Sequence, residues 1–122
     1  MIDAKARSVL VVDDEHMIRR LLRSVLEADE FEVLEAPGGE AALELATATH
    51  PAVVVLDILM PGLDGVEVCR RLDHDEAKVI VLTARDDPRL ETECRKAGAD
   101  AFLTKPFSSN ELLDLVATLI SN

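Results

Sequence analysis

Three short runs of this chain are almost wholly apolar, and each stops at a polar residue. They are Ser8-Val-Leu-Val-Val12 before Asp13-Asp14, Ala52-Val-Val-Val-Leu56 before Asp57, and Val79-Ile-Val-Leu82 before Thr83. Runs this short and this rich in β-branched residues predict strands rather than helices. Because both faces of each run are apolar, they fit central strands of a parallel sheet covered on each side by helices. Phe31–Glu35 interleaves polar residues and reads as an edge strand, while Ala101-Phe-Leu103 is a brief strand ending in Thr104-Lys105-Pro106.

Between the strands the period changes to that of a helix. Ile18, Leu21, Leu22, Val25 and Leu26 form one apolar stripe, and Ala42, Leu45 and Ala46 form another after the break at Pro37-Gly-Gly39. Asp64 with Glu67, and Ser108 with Glu111, have capping-box spacing; Asp87-Pro88 offers an N-cap followed by a proline at the first helical position. Gly98 marks the end of that helix, and a last one turns Leu112, Leu115, Val116 and Leu119 inward. Strand and helix alternate five times, which predicts a doubly wound α/β sandwich.

Length and composition narrow the function. The 122 residues fit a single domain, read as 1–122 with a folded core at 7–121. A net charge of −11, with no tryptophan or tyrosine, argues against direct binding to nucleic acid or to an anionic membrane surface. With no signal peptide and no membrane-length apolar run, the expectation is a cytoplasmic protein. Cys69 and Cys94 lie on the apolar sides of their helices and are expected as buried thiols rather than a disulfide or metal pair.

Four strands deliver a polar residue to the same carboxyl edge of the sheet: Asp13-Asp14, Asp57, Thr83 and Lys105. Each alone has an ordinary explanation. Asp13 or Asp14 could cap the first helix, Asp57 could open a turn, Thr83 could begin a loop, and Lys105 could be solvated. Together, where open α/β sheets place their ligands, they compose a site for a hard divalent cation and a phosphoryl group. Clustered carboxylates repel unless a cation intervenes, Mg²⁺ takes oxygen ligands, and an aspartate can accept a phosphoryl group as an acyl phosphate.

At these residues the chain resembles the receiver domain of two-component response regulators. The resemblance runs from Val9-Leu-Val-Val-Asp-Asp-Glu15 through Leu56-Asp-Ile-Leu-Met-Pro-Gly-Leu-Asp-Gly65 and Leu82-Thr-Ala84 to Lys105-Pro106-Phe107. It implies a five-stranded flavodoxin-like sheet in the order 2-1-3-4-5 and a cis Lys105–Pro106 bond. It further implies phosphorylation of Asp57 by a sensor histidine kinase or histidine phosphotransfer protein. Asp14, Asp57 and the main-chain oxygen of Leu59 would bind Mg²⁺, or Mn²⁺ in its place, with Asp13 acting through a water. Thr83 and Lys105 would hold the phosphoryl group, and Phe102 would be the switch aromatic. Output would pass through the face built by the fourth helix, fifth strand and fifth helix, to a downstream protein, a fused output domain or a second copy in a phosphorylation-dependent homodimer. Leu63 replaces a frequent methionine, Phe102 a frequent tyrosine, and Leu59 and Arg85 occupy variable positions that tune phosphate lifetime in the family.

Three rivals fit less well. An aspartate-nucleophile phosphatase usually needs a second acid two residues after the nucleophile, where this chain has Leu59. A dinucleotide or flavin carrier would need G-x-G-x-x-G after the first strand. A degenerate receiver serving only as a docking module would lack an active residue, and none is missing. A receiver trimmed from a larger DNA-binding or enzymatic regulator keeps the same chemistry.

Overall fold

The computed structural model describes residues 7–60, 62, 64–84 and 87–121. Leu63 and Arg85 lie outside the described residues. Ten elements alternate: β1 (Ser8–Val12), α1 (His16–Ala28), β2 (Glu32–Ala36), α2 (Gly39–Thr49), β3 (Val53–Asp57), α3 (Gly65–Arg71), β4 (Lys78–Thr83), α4 (Pro88–Lys96), β5 (Ala101–Thr104) and α5 (Ser109–Ser121). The five strands form one parallel sheet in the order β2-β1-β3-β4-β5, as expected.

That order reverses after β2, so right-handed crossovers put α1 and α5 on one face and α2, α3 and α4 on the other. Side chains alternate along each strand, which divides the interior in two. Val9, Val11, Val53, Val55, Ile80 and Leu82 pack with Leu22, Leu26, Leu112 and Val116 on the α1–α5 side. Leu10, Val12, Val54, Leu56, Val79 and Val81 pack with Ala42, Val68, Cys69 and Cys94 on the other. Burial on both faces is why the central strands carry uninterrupted apolar runs. Leu22 and Leu112 are wholly buried, and truncating either to alanine should cost about 2–5 kcal/mol.

The helix boundaries follow their capping residues. Asp64 Oδ1 accepts the Val66 N–H at 2.9 Å, and Asp87 Oδ1 accepts those of Arg89 and Leu90 at 3.0 and 3.3 Å. Ser108 Oγ accepts the Glu111 N–H at 3.1 Å. Glu67 does not complete a capping box; its carboxylate takes Arg70 and Arg71 instead. Gly98, at φ +112°, ends the α4 turn as expected.

Two expectations shift. The edge strand begins at Glu32, because the Phe31 N–H bonds back to Leu26 in the turn after α1 and its ring fills the core beneath Arg7. Leu21 is 50 % exposed. Neighbouring helix positions lie about 100° apart, so burying Leu22 and Leu26 turns Leu21 to the rim. Cys69 and Cys94 are free buried thiols, pushed up by burial to about 11 and about 12. Among the described residues no helix is long and apolar enough to cross a membrane.

Candidate functional site

Parallel registration brings the carboxyl ends of the strands together, and hydrogen bonds carry that order into the loops beyond them. Asp57 pairs with Leu82 and ends β3. The Ile58 N–H continues the ladder to Leu82 O at 3.2 Å, and the Lys105 N–H reaches Thr83 O at 2.8 Å. On the other side the Asp13 N–H bonds to Ala36 O at 3.2 Å. The loops bearing Asp13, Ile58 and Lys105 are therefore extensions of a rigid sheet. The Lys105–Pro106 bond is cis.

The side chains meet above that edge. Asp13 is fully buried, Asp57 and Thr83 are nearly so, and Asp14 is exposed. One carboxylate oxygen from each of Asp13, Asp14 and Asp57 can be chosen so that all lie within 4.8 Å of one another. Lys105 Nζ stands 3.1 Å from Asp13 Oδ2 and 3.3 Å from Asp57 Oδ2. Asp13 does not cap α1 in the ordinary sense; its Oδ1 accepts the N–H of Glu15, the residue that opens the helix, at 2.9 Å. Asp57 Oδ1 accepts the Leu59 N–H at 3.0 Å, while the Leu59 side chain points out and is 54 % exposed.

The electrostatics of this cluster are unbalanced toward negative charge. Burial pushes the Asp57 carboxyl above the usual aspartate range, and the Asp13 charge adds to this. The Leu59 N–H and Lys105 pull it back without cancelling the shift. Burial on its own would lower the Lys105 ammonium, but hydrogen bonding to Asp13 and the charges of Asp57 and Asp13 hold it above the usual lysine value. Burial leads the Asp57 shift, and the Asp13 charge that reinforces it also helps to hold Lys105 up, since two carboxylates face one ammonium. An all-oxygen donor set with excess negative charge fits a hard divalent cation.

Thr83 and Phe102 line one cavity with Val81, Leu90, Cys94 and Thr104, under α4. The Phe102 ring is half-buried, and the Arg95 guanidinium lies 4.6 Å from its centroid. The residues singled out in the sequence thus converge at one edge, with Phe102 adjoining through the Thr83 cavity. Sequence reasoning missed Arg19 and Glu35. Arg19 Nη1 donates to the main-chain oxygen of Asp13 at 2.6 Å, and its Nε to Glu35 Oε1 at 3.1 Å. Helical spacing put Arg19 off the apolar stripe; nothing local linked it to β2.

Comparison with known proteins agrees with this geometry. Residues 9–117 match the family described as the response regulator receiver domain. The transcriptional regulatory protein SrrA of Staphylococcus aureus is 39% identical over 116 residues, covering 94% of this chain and 48% of that protein. The chain therefore spans about half the length of the curated relatives it matches. Among solved structures, the receiver domain of Francisella response regulator 1452 is 34% identical with a TM-score of 0.86, covering 94% of this chain and 97% of that one. Vibrio cholerae chemotaxis protein CheY4 is 28% identical with a TM-score of 0.86, covering 92% and 97%. A match this long, on a sheet of this order, establishes that the chain belongs to the response regulator receiver domain family of two-component systems.

Proposed function

We propose that Asp57 is the phosphoacceptor of this receiver and that the acidic cluster at the sheet edge binds the divalent cation its phosphorylation requires. The observation that carries this is the juxtaposition of Asp13, Asp14 and Asp57 within 4.8 Å, with Lys105 bridging two of them. An Asp57 carboxylate oxygen attacks the phosphorus of a phosphohistidine on a sensor histidine kinase or phosphotransfer protein. The P–N bond breaks, the imidazole departs with its electron pair and takes up a proton, and an acyl phosphate remains. Hydrolysis by water returns the carboxylate and inorganic phosphate, so the domain works as a switch with only its own phosphorylation and dephosphorylation as chemistry.

Asp14, Asp57 and the carbonyl of Leu59 would hold Mg²⁺, or Mn²⁺ in its place, with Asp13 acting through a water. When bound, the ion supplies charge neutralisation across the carboxylates and phosphoryl oxygens. Lys105 steadies the phosphoryl group from the β5 side, and the Thr83 hydroxyl donates to one of its oxygens. Drawing Thr83 toward the phosphate opens the cavity beneath α4 to Phe102, which remodels the surface of α4, β5 and α5. Shifting such a switch from almost all off to almost all on takes about 5.5 kcal/mol of differential binding, within reach of several charge-assisted contacts.

That surface is read by a downstream protein, a fused output domain or a second copy of the chain in the cytoplasm. The strong acidity argues against direct contact with nucleic acid by this domain. The greater length of SrrA, a transcriptional regulatory protein, favours the reading in which a receiver like this one serves a separate output domain.

Incubating the protein with a small acyl phosphate and Mg²⁺, then mapping the adduct by mass spectrometry, tests the assignment. Label is expected on Asp57 and absent from Asp57→Ala; equal labelling of that variant would sink it. In parallel, Asp14→Ala should weaken Mg²⁺ binding far more than Asp75→Ala, which removes the same charge from the loop before β4 at the opposite edge.

A further inference from the structure

The main chain of Asp13 is held to β2 by both of its polar groups. Its N–H bonds directly to Ala36 O at 3.2 Å. Its carbonyl oxygen is reached through an intermediary: Arg19 Nη1 donates to it at 2.6 Å, and Arg19 Nε donates to Glu35 Oε1 at 3.1 Å. The other Glu35 oxygen accepts from Arg23 Nε at 2.6 Å, and Arg23 Nη1 also reaches Glu27 at 2.9 Å. Arg19 and Arg23 are four residues apart on α1, so they present their guanidinium groups side by side. Glu35 is thereby fixed on both oxygens, and Arg19 is fixed between β2 and the turn that carries Asp13 and Asp14. Arg19 is only 14% exposed, and His16 Nδ1 lies 3.4 Å from its remaining nitrogen.

A cation beside an acidic cluster has an electrostatic consequence of known sign. It repels a second cation and so weakens metal binding unless it does something else. The geometry points to what that is. We propose that Arg19, aligned by Glu35, is a positioning residue for the acidic cluster: it clamps the main-chain oxygen of Asp13 and so fixes the aim of the Asp13 and Asp14 carboxylates. This rests on the reading of the cluster as a cation and phosphoryl site. The N-terminus of α1 has no side-chain cap from Glu15; besides the Asp13 Oδ1 bond to the Glu15 N–H, these main-chain anchors tie the turn between β1 and α1 to β2. Arg19 needs its planar fork for the task, since two nitrogens of one rigid group must face two acceptors; a lysine carries the charge without the fork.

The sign of the effect separates this role from simple charge. Arg19→Gln deletes a positive charge near the cluster, so electrostatics alone predicts tighter Mg²⁺ binding; loss of positioning predicts weaker binding, by roughly tenfold, as for other groups that orient metal ligands. Arg20→Gln removes the same charge from the next, exposed position and should bind Mg²⁺ as wild type does or slightly more tightly. Arg19→Lys keeps the charge and should still weaken binding; it carries the comparison if Arg19→Gln fails to fold.

Mg²⁺ titration calorimetry on these variants is paired with amide hydrogen exchange, read by NMR without metal. Exchange at the Asp13 and Glu15 amides should accelerate in the Arg19 variants while β3 and β4 stay protected. Mg²⁺ bound by the Arg19 variants as tightly as by wild type, or unchanged exchange at Asp13 and Glu15, would overturn the proposal. The exchange arm needs neither metal nor phosphate. A wild type that takes no Mg²⁺ would therefore sink the phosphoryl-transfer reading, while exchange still decides the role of Arg19.

Discussion

A single ammonium joins the ends of two strands: Lys105 Nζ lies 3.1 Å from Asp13 Oδ2 at the end of β1 and 3.3 Å from Asp57 Oδ2 at the end of β3. The same carboxylates would serve a metal ion, so lysine and metal compete for them. Lys105→Met, which keeps the stem, should cost the metal-free fold about 1–3 kcal/mol, less than a fully buried pair because Nζ is partly wet. It should also tighten Mg²⁺ binding. Urea unfolding with and without Mg²⁺ measures both. Weaker Mg²⁺ binding by this variant would mean that Lys105 organises the carboxylates rather than competing for them.

Asp57 titrates in the direction of a destabilising buried acid, since burial and the Asp13 charge raise its pKa in the fold. For an acid raised above its unfolded value, the ionised form carries a penalty that is full above the folded pKa and vanishes below the unfolded one, near ~4. Without metal, Asp57→Asn should therefore be more stable than wild type near neutral pH, and the gap should close as the pH falls through the raised pKa. Urea midpoints for both proteins at three pH values provide the check. A gap that widens on acidification contradicts the assignment.

Gly98 is fixed by its backbone and by a neighbour. At φ +112° a Cβ would be strained, and it would stand 2.4 Å from His74 Nε2, which itself lies 2.6 Å from the Cys69 carbonyl oxygen. Gly98→Ala should cost about 1–3 kcal/mol from backbone strain, with more for displacing the imidazole. In a His74→Ala background only the steric part should disappear, a difference that a double-mutant cycle in thermal unfolding isolates. An equal cost in both backgrounds would show that the ring contact contributes nothing.

Thr83→Ala should still accept phosphate on Asp57 but pass little of the change onward. Beryllofluoride, a phosphoryl mimic, is expected to shift NMR signals across α4, β5 and α5 in the wild type and far less in the variant. A full response in Thr83→Ala would remove Thr83 from the coupling.

The sequence made the carboxyl edge of the sheet legible because its signals are local. Val53–Leu56 is short, β-branched and apolar on both faces, as a doubly buried strand is, and Asp57 closes it; Asp87 and Ser108 carry their capping geometry in neighbouring residues. What stayed hidden depends on contacts across the fold. Arg19 reads as a solvated charge on the polar side of α1, and Glu35 as an outward residue of an edge strand; only the packing of α1 beside β2 joins them to Asp13. Leu21 satisfies helical periodicity, but periodicity cannot say how wide a stripe the sheet will cover. Glu67 has capping-box spacing, yet two arginines within a turn of it compete for its carboxylate.

The alternation of β4 also decides which helical layer Thr83 faces. Val79 and Val81 face the core under α2, α3 and α4, whereas Ile80 and Leu82 face α1 and α5. Thr83 shares the parity of Val79 and Val81, and its cavity holds Leu90 and Cys94 of α4 with Phe102. If Thr83 moves on phosphorylation as proposed, its side chain would press first on α4, whereas its neighbour Leu82 packs against α5. Deleting one residue from β4 would preserve a strand but turn the threonine to the other side, redirecting the message to the α1–α5 layer.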